Sequence, residues 1–369
     1  MMGGLVRSLA CVMLLAACGP SAGEEGSSIL LEYPNLSGGV VFASRSVVGA
    51  DGYDLFWAPV PQLPTVSVQP IFQLTAASGN QWQPSVSPGG NGLAYANPND
   101  GIFYVGRDSQ IRRISSSAGQ FVDSLPAVSH DGQFVAWVRE DTNRPIGGTG
   151  FFETMIMIAQ NDGSNARVVL EKPGIVQDAP RFEPVAGSWR IAWSEFNPNS
   201  IDATGPTVYG LWLHDFRDNV GQFVCNDPAV VIGGTRQRCF GQHLAWPRPN
   251  VLVVPQSFLE VYLDGRPSEQ VYSVLLNSVQ GQQSGAPVIV ETAFGHTTFP
   301  VSASYLGDRM ILDGVTDSVD GSIRTLGFWV ASVAGDAPWR LFIDGLRPDL
   351  DLDSTNTFLF SVATPQLIP

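Results

Sequence analysis

Charge is scarce in this chain. Only 15% of its 369 residues are Asp, Glu, Lys or Arg, too few for a charged helical bundle or a coiled coil. Basic charge is scarcest: 20 Lys and Arg face 34 Asp and Glu, a net charge of −14. No Lys/Arg cluster stands out, so neither nucleic acid nor anionic lipid is expected on a basic face, because phosphate binding needs concentrated positive charge. Cysteine and histidine number four each. Beyond the N-terminal leader no apolar run approaches the ~18 residues of a membrane-spanning helix. There is no P-loop, no G-x-G-x-x-G after a strand and no H-E-x-x-H. Long helical periodicity is missing too. What remains is plentiful: 44% hydrophobic residues and 10% aromatic ones exclude disorder, and 39 Gly with 27 Pro punctuate the chain.

Residues 1–17 read as an export leader. Arg7 supplies the positive start, and Leu9 to Ala17 is apolar but too short to span a bilayer. The segment Leu14-Leu15-Ala16-Ala17-Cys18 resembles the bacterial lipobox. That resemblance implies cleavage before Cys18 and lipid on its thiol, and Gly19 rather than Asp after it implies transfer to the outer membrane of a Gram-negative cell. The lipid would be the protein's sole hold on the membrane. Residues 18–28 form a small, polar tether. Its Gly19-Pro20-Ser21-Ala22-Gly23 matches G-x-S-x-G but has neither the strand nor the helix that a nucleophile elbow requires. Cys11 leaves with the leader. Cys225 and Cys239 remain, and in an oxidising compartment they are expected to form a disulfide around a loop of about 15 residues.

From residue 29 to 369 a single all-β domain is expected, because strands of four to seven residues alternate with Gly, Pro, Asn and Asp turns. A repeat runs through it. Pro84-Ser85-Val86-Ser87-Pro88-Gly89-Gly90 leads to Leu93-Ala94-Tyr95, and Pro126-Ala127-Val128-Ser129-His130-Asp131-Gly132 leads to Val135-Ala136-Trp137. Pro180, Pro300 and Pro348 open similar copies, and Leu244–Asn250 fits a degenerate one in the long gap between 180 and 300. Each turn is a hairpin whose glycine permits positive φ. Third strands follow at Leu55-Phe56-Trp57, Ile102–Val105, Met155–Ile158, Leu211–Leu213 and Phe328–Val330, with Val261-Tyr262-Leu263 as a weak fifth. Four strands in about 40–60 residues is the period of a β-propeller blade.

The turns Ser87-Pro88-Gly89-Gly90 and Ser129-His130-Asp131-Gly132, and above all Asn161-Asp162-Gly163-Ser164-Asn165-Ala166-Arg167 after a strand, resemble the TolB-type propeller repeat over about residues 39–362. The resemblance implies four-stranded blades, six of them (seven being the alternative), with the ring closed by pairing of C-terminal and N-terminal strands. The separate α/β domain that precedes the propeller in TolB is not expected here, so TolB's own partner is not carried over.

Candidate chemistry is sparse. His243 and His296 lie near the starts of inner strands and are weak candidates for the channel. Trp82 and Trp339 sit beside turns and are candidates for loop contacts. Trp57, Trp137, Trp193, Trp212 and Trp329 recur at equivalent repeat positions, which marks core packing. Asp349, Asp351 and Asp353 have the first spacing of a calcium loop, but Ser354 and Phe360 stand where Gly and Glu are needed. No catalytic residues, metal ligands or cofactor are assigned. The expected function is a non-enzymatic, lipid-anchored, monomeric envelope module binding a protein, peptide or cell-wall ligand. The alternative is an extracellular hydrolase or lyase acting on polysaccharide or lactone.

Overall fold

A computed structural model describes residues 38–45, 53–61, 63, 65, 67, 69–75, 79–199, 201–202, 205–206, 209–226, 230–232, 235–237, 245–249, 251–261, 267–275, 288–291, 298–306, 309–317, 324–332, 339–341 and 366–367. Side chains are described chiefly in the first four sheets. Among the described residues every regular element is a strand, and six sheets have four strands each, all pairs antiparallel.

The first sheet holds Gly39–Arg45, Tyr53–Pro59 and Phe72–Gln73, with Gln366–Leu367 on its free edge. Val40 pairs with Leu367 and Val41 with Gln366, so the first and last described strands meet in one sheet. The second sheet runs Trp82–Val86, Gly92–Asn97, Gly101–Gly106 and Ile111–Arg113. The third runs Phe121–Val128, Phe134–Pro145, Phe152–Gln160 and Arg167–Glu171. The fourth comprises Val176–Phe182, Arg190–Phe196, Tyr209–Asp215 and Val220–Asn226. In the fifth are Ala245–Arg248, Val251–Val261, Pro267–Leu275 and Val288–Glu291. The sixth has Thr298–Leu306, Arg309–Asp317, Arg324–Ser332 and Trp339–Leu341.

Two small hairpins add to the expected pattern, Ile201–Asp202 with Gly205–Pro206 and Val230–Ile232 with Thr235–Gln237. The fifth sheet also corrects an expectation. Val261 ends its second strand, and the third strand is Pro267–Leu275 rather than Val261–Leu263. The eleven-residue run Val251–Val261 is long enough to hold what the sequence suggested as two strands.

The turn chemistry explains why Ser and Gly recur. Ser87 Oγ accepts from the amides of Asn91 (2.5 Å) and Gly92 (3.1 Å), and Ser129 Oγ accepts from Phe134 N at 2.9 Å. Gly90 and Gly132 take the left-handed backbone at φ 66° and 73°. In the fourth sheet Glu183 replaces that serine and closes the turn on Ser188 and Arg190, with Arg190 Nε at 2.9 Å. Successive turns are laced together: Gly89 N and Asn91 Nδ2 both donate to the His130 carbonyl at 3.2 Å.

The core lies between sheets. Val40, Phe42, Leu55 and Leu93 pack the first sheet on the second, Tyr104, Val135 and Trp137 the second on the third, and Ile158, Trp193 and Phe216 the third on the fourth. Trp137 and Trp193 are fully buried, as their recurrence in the repeat implies, and Trp57 and Trp212 are partly so. Burial of such rings stabilises by roughly 2–3 kcal/mol each.

Candidate functional site: the axial strands and a cavity between sheets

The first strands of successive sheets from the second onward neighbour each other, that of the second also lies beside Gly39–Arg45, and that of the sixth lies beside Gln366–Leu367. Each first strand has one partner in its own sheet, so its other edge faces a common axis. The repeat prolines shape that edge. Pairing slips by one residue between Trp82 and Ser85, between Ser124 and Ala127, and between Asp178 and Arg181. The slipped segments hold Gln83-Pro84, Leu125-Pro126 and Ala179-Pro180. Proline cannot donate to a ladder, so a bulge on an edge strand is where it fits. The residue before each proline is left-handed, at φ 50°, 50° and 51°. A residue preceding proline ordinarily takes extended backbone, so each bulge carries local strain.

The amides freed by these bulges are captured by side chains. Leu125 N donates to Gln83 Oε1 at 2.7 Å, from one axial strand to the next. Ala179 N donates to Asp178 Oδ1 at 2.8 Å.

Two charged groups flank the third bulge. Asp178 and Arg181 are half-buried. Burial pushes the Asp178 carboxyl up, an effect offset in part by the Ala179 amide and the nearby Arg181 charge. Burial pulls Arg181 down to about 10, Asp178 opposing the shift, so the guanidinium is charged at neutral pH. It donates to the Pro180 carbonyl at 2.7 Å. Three other acids of these sheets are closed on cations. Asp123 receives two bonds of 2.7 Å from Arg139, Glu195 receives Lys172 at 2.7 and 2.9 Å, and Glu183 receives Arg190. Lys172 also stands 3.4 Å from the Trp212 ring centroid.

A second concavity lies away from the axis, at the turn end between the third and fourth sheets. It has a volume of about 190 Å³ and is lined by Phe134, Ile158, Ala159, Gln160, Asn165, Arg167, Trp189 and Phe216. Buried His214 is close by: it packs on Trp193 at 5.9 Å, and burial, aided by the Arg167 charge, lowers its pKa. His214 follows Trp212-Leu213 in the sequence, where a loop mouth is expected. It instead pairs with Ile191 and Gly221 inside a strand.

The sequence matches no protein-family profile and no curated protein. Solved structures do share the fold. An oligogalacturonate lyase in complex with manganese is 14% identical, over 82% of this chain and 73% of that one, with a TM-score of 0.51. The β-propeller domain of the Trilobed protease from Pyrococcus furiosus is 13% identical, over 70% and 69%, at 0.44. A protein described as TolB from Agrobacterium tumefaciens is 11% identical, over 82% and 88%, at 0.46. Four-stranded antiparallel sheets set side by side around their first strands are the architecture of a propeller. The chain is a β-propeller.

Within the propeller, the residues singled out by sequence fall in different places. Trp82 opens the first strand of the second sheet, and its ring meets Tyr53 edge-on at 5.7 Å, between two sheets. Trp339 lies in the last strand of the sixth sheet, opposite Val330. Cys225 lies in Val220–Asn226 and pairs with Leu211. Its expected partner Cys239 lies outside the described residues, as do Cys18, His243, His296 and the Asp349–Asp353 run. The groups that the geometry brings forward, Asp178 and Arg181, were passed over in the sequence. Their signal was present: both flank the anchor Pro180, where the copies at Pro84 and Pro126 carry Trp82 with Ser85 and Ser124 with Ala127.

Proposed function

We propose that this propeller is a lipid-anchored envelope protein that binds a protein, peptide or cell-wall ligand at its axis without transforming it. The observation that carries this reading is the state of the acidic side chains. Asp123, Glu183 and Glu195 are each closed on Arg139, Arg190 and Lys172, so they serve the fold. Along the axial strands the repeated proline bulges, with Asp178 and Arg181 beside the third, give a rigid surface suited to recognition. The anchor rests on Leu14–Cys18 and the outer-membrane location on Gly19.

The test is retention of the purified protein on peptidoglycan sacculi and site-specific crosslinking from positions 83 and 125 in intact cells. A saturable, single crosslinked species or saturable retention supports the reading. A turnover that releases an ultraviolet-absorbing unsaturated sugar from polygalacturonate sinks it.

One observation favours the enzymatic alternative, a lyase or hydrolase acting on polysaccharide or lactone. Asp178, shifted toward its protonated form, and Arg181, with no ion pair among the described residues, flank one bulge on the axis. A carboxyl poised to move a proton beside a cation that could hold a carboxylate is an acid–base arrangement. On that reading Asp178→Asn and Arg181→Gln each abolish turnover while the propeller stays folded.

A further inference from the structure

The turn motif Asn161–Arg167 builds one wall of the 190 Å³ cavity between the third and fourth sheets. The floor is aromatic. Phe134, Trp189 and Phe216 pack on one another with ring centroids 5.1 to 5.4 Å apart. The rim is polar: Gln160, Asn165 and Arg167 are exposed. Arg167 is the one cation of the lining. It donates to the Phe216 carbonyl at 2.6 Å, and a guanidinium has five N–H groups. No carboxylate among the described residues pairs with it. The arginine near the start of the corresponding strand in the second sheet, Arg112, is closed on Asp108. In the third sheet the acid of the turn, Asp162, instead accepts from Ser164 N at 2.9 Å. The anion that Arg112 finds within its own sheet is therefore missing at Arg167.

Size sets the other half of the ligand. An apolar cavity of about 150 Å³ holds benzene, so this one accepts a single ring with a short substituent. We propose that the cavity binds a ring-sized apolar group bearing a carboxylate, the ring against Phe134, Trp189 and Phe216 and the carboxylate on Arg167. The site is separate from the axis, so either proposal can fail without the other.

Phenylacetate and its neutral analogue phenylacetamide are the probes, titrated into the full-length protein by ligand-observed NMR and calorimetry. Phenylacetate should bind with a Kd of about 1 mM, typical of so small a ligand, and the amide at least about tenfold more weakly. Arg167→Gln should weaken the acid by about tenfold or more and leave the amide within about twofold. Asn165→Asp, an exposed change at a left-handed position (φ 56°) that Asp tolerates, should weaken the acid several-fold by repulsion. It decides the matter if loss of the Arg167–Phe216 bond unfolds the first variant. Tighter binding of N-acetylphenylalanine than of phenylacetate identifies a peptide C terminus as the source of the ligand, and the reverse a free acid. Equal affinity for acid and amide, no saturable binding, or an unchanged Kd in Asn165→Asp overturns the proposal.

Discussion

Ala179 is a fully buried residue held at φ 51° immediately before a proline. A left-handed backbone costs an L-residue roughly 1–2 kcal/mol, whereas glycine pays only its larger unfolded entropy of about 0.5–1 kcal/mol. Ala179→Gly should therefore leave stability unchanged or raise it by up to about 1 kcal/mol, and Ala179→Val should lower it by more than about 2 kcal/mol. Urea unfolding of the three proteins measures this, and a Val variant as stable as the parent would show that the bulge is not strained. Its neighbour Asp178 gives a pH dependence of known sign. Burial raises the folded pKa above the ordinary value of 3.8, so folding disfavours the charged carboxylate. The penalty is complete above the folded pKa and vanishes as pH falls below 3.8. Asp178→Asn should accordingly stabilise the protein at pH 7, with the gain shrinking toward zero near pH 3.8, as followed by thermal melts across that range.

Elements are joined by few, specific bonds. Thr154 Oγ1, on the third strand of the third sheet, donates to the Gln177 carbonyl at 2.9 Å and accepts from Gln177 N at 2.5 Å. Gln177 is on the axial strand of the fourth sheet and fully buried. Thr154→Val keeps the shape and orphans both backbone groups, so it should cost about 2–4 kcal/mol, with hydrogen exchange quickening selectively at Gln177. A loss below about 0.5 kcal/mol would mean that water replaces the hydroxyl. Strands were legible in the sequence where turn and strand chemistry agree. Ser87, Ser129, Gly90 and Gly132 announce hairpins because their side chains and φ angles close the turn locally. The third strand of the fifth sheet was misplaced because Pro255-Gln256-Ser257 reads as a break between two apolar segments, whereas one strand, Val251–Val261, runs through it. The cavity was not legible for a different reason. Arg167 and Trp189 lie in different sheets, and which residues two neighbouring sheets bring together is decided by packing.

At the scale of the whole molecule, the pairing described between Gln366–Leu367 and Gly39–Arg45 consists of two residue pairs, Val40–Leu367 and Val41–Gln366, among the described residues. Without it the inner edge of Gly39–Arg45 is an unpaired strand, which is a template for association with other chains. Gln366→Pro with Leu367→Pro removes both backbone donors of that contact. The double variant should melt at a lower temperature and scatter light increasingly with protein concentration, and a variant that stays monomeric with an unchanged Tm would show that the contact contributes nothing.

The same short strand imposes an order in time. Val40 leaves the ribosome more than 300 residues before Leu367, a delay on the order of tens of seconds at ordinary synthesis rates. Throughout that interval the first sheet waits with an open edge for a partner that has not yet been made. A holdase that occupies Gly39–Arg45 during the wait would set the yield of folded protein, although it touches nothing in the finished molecule.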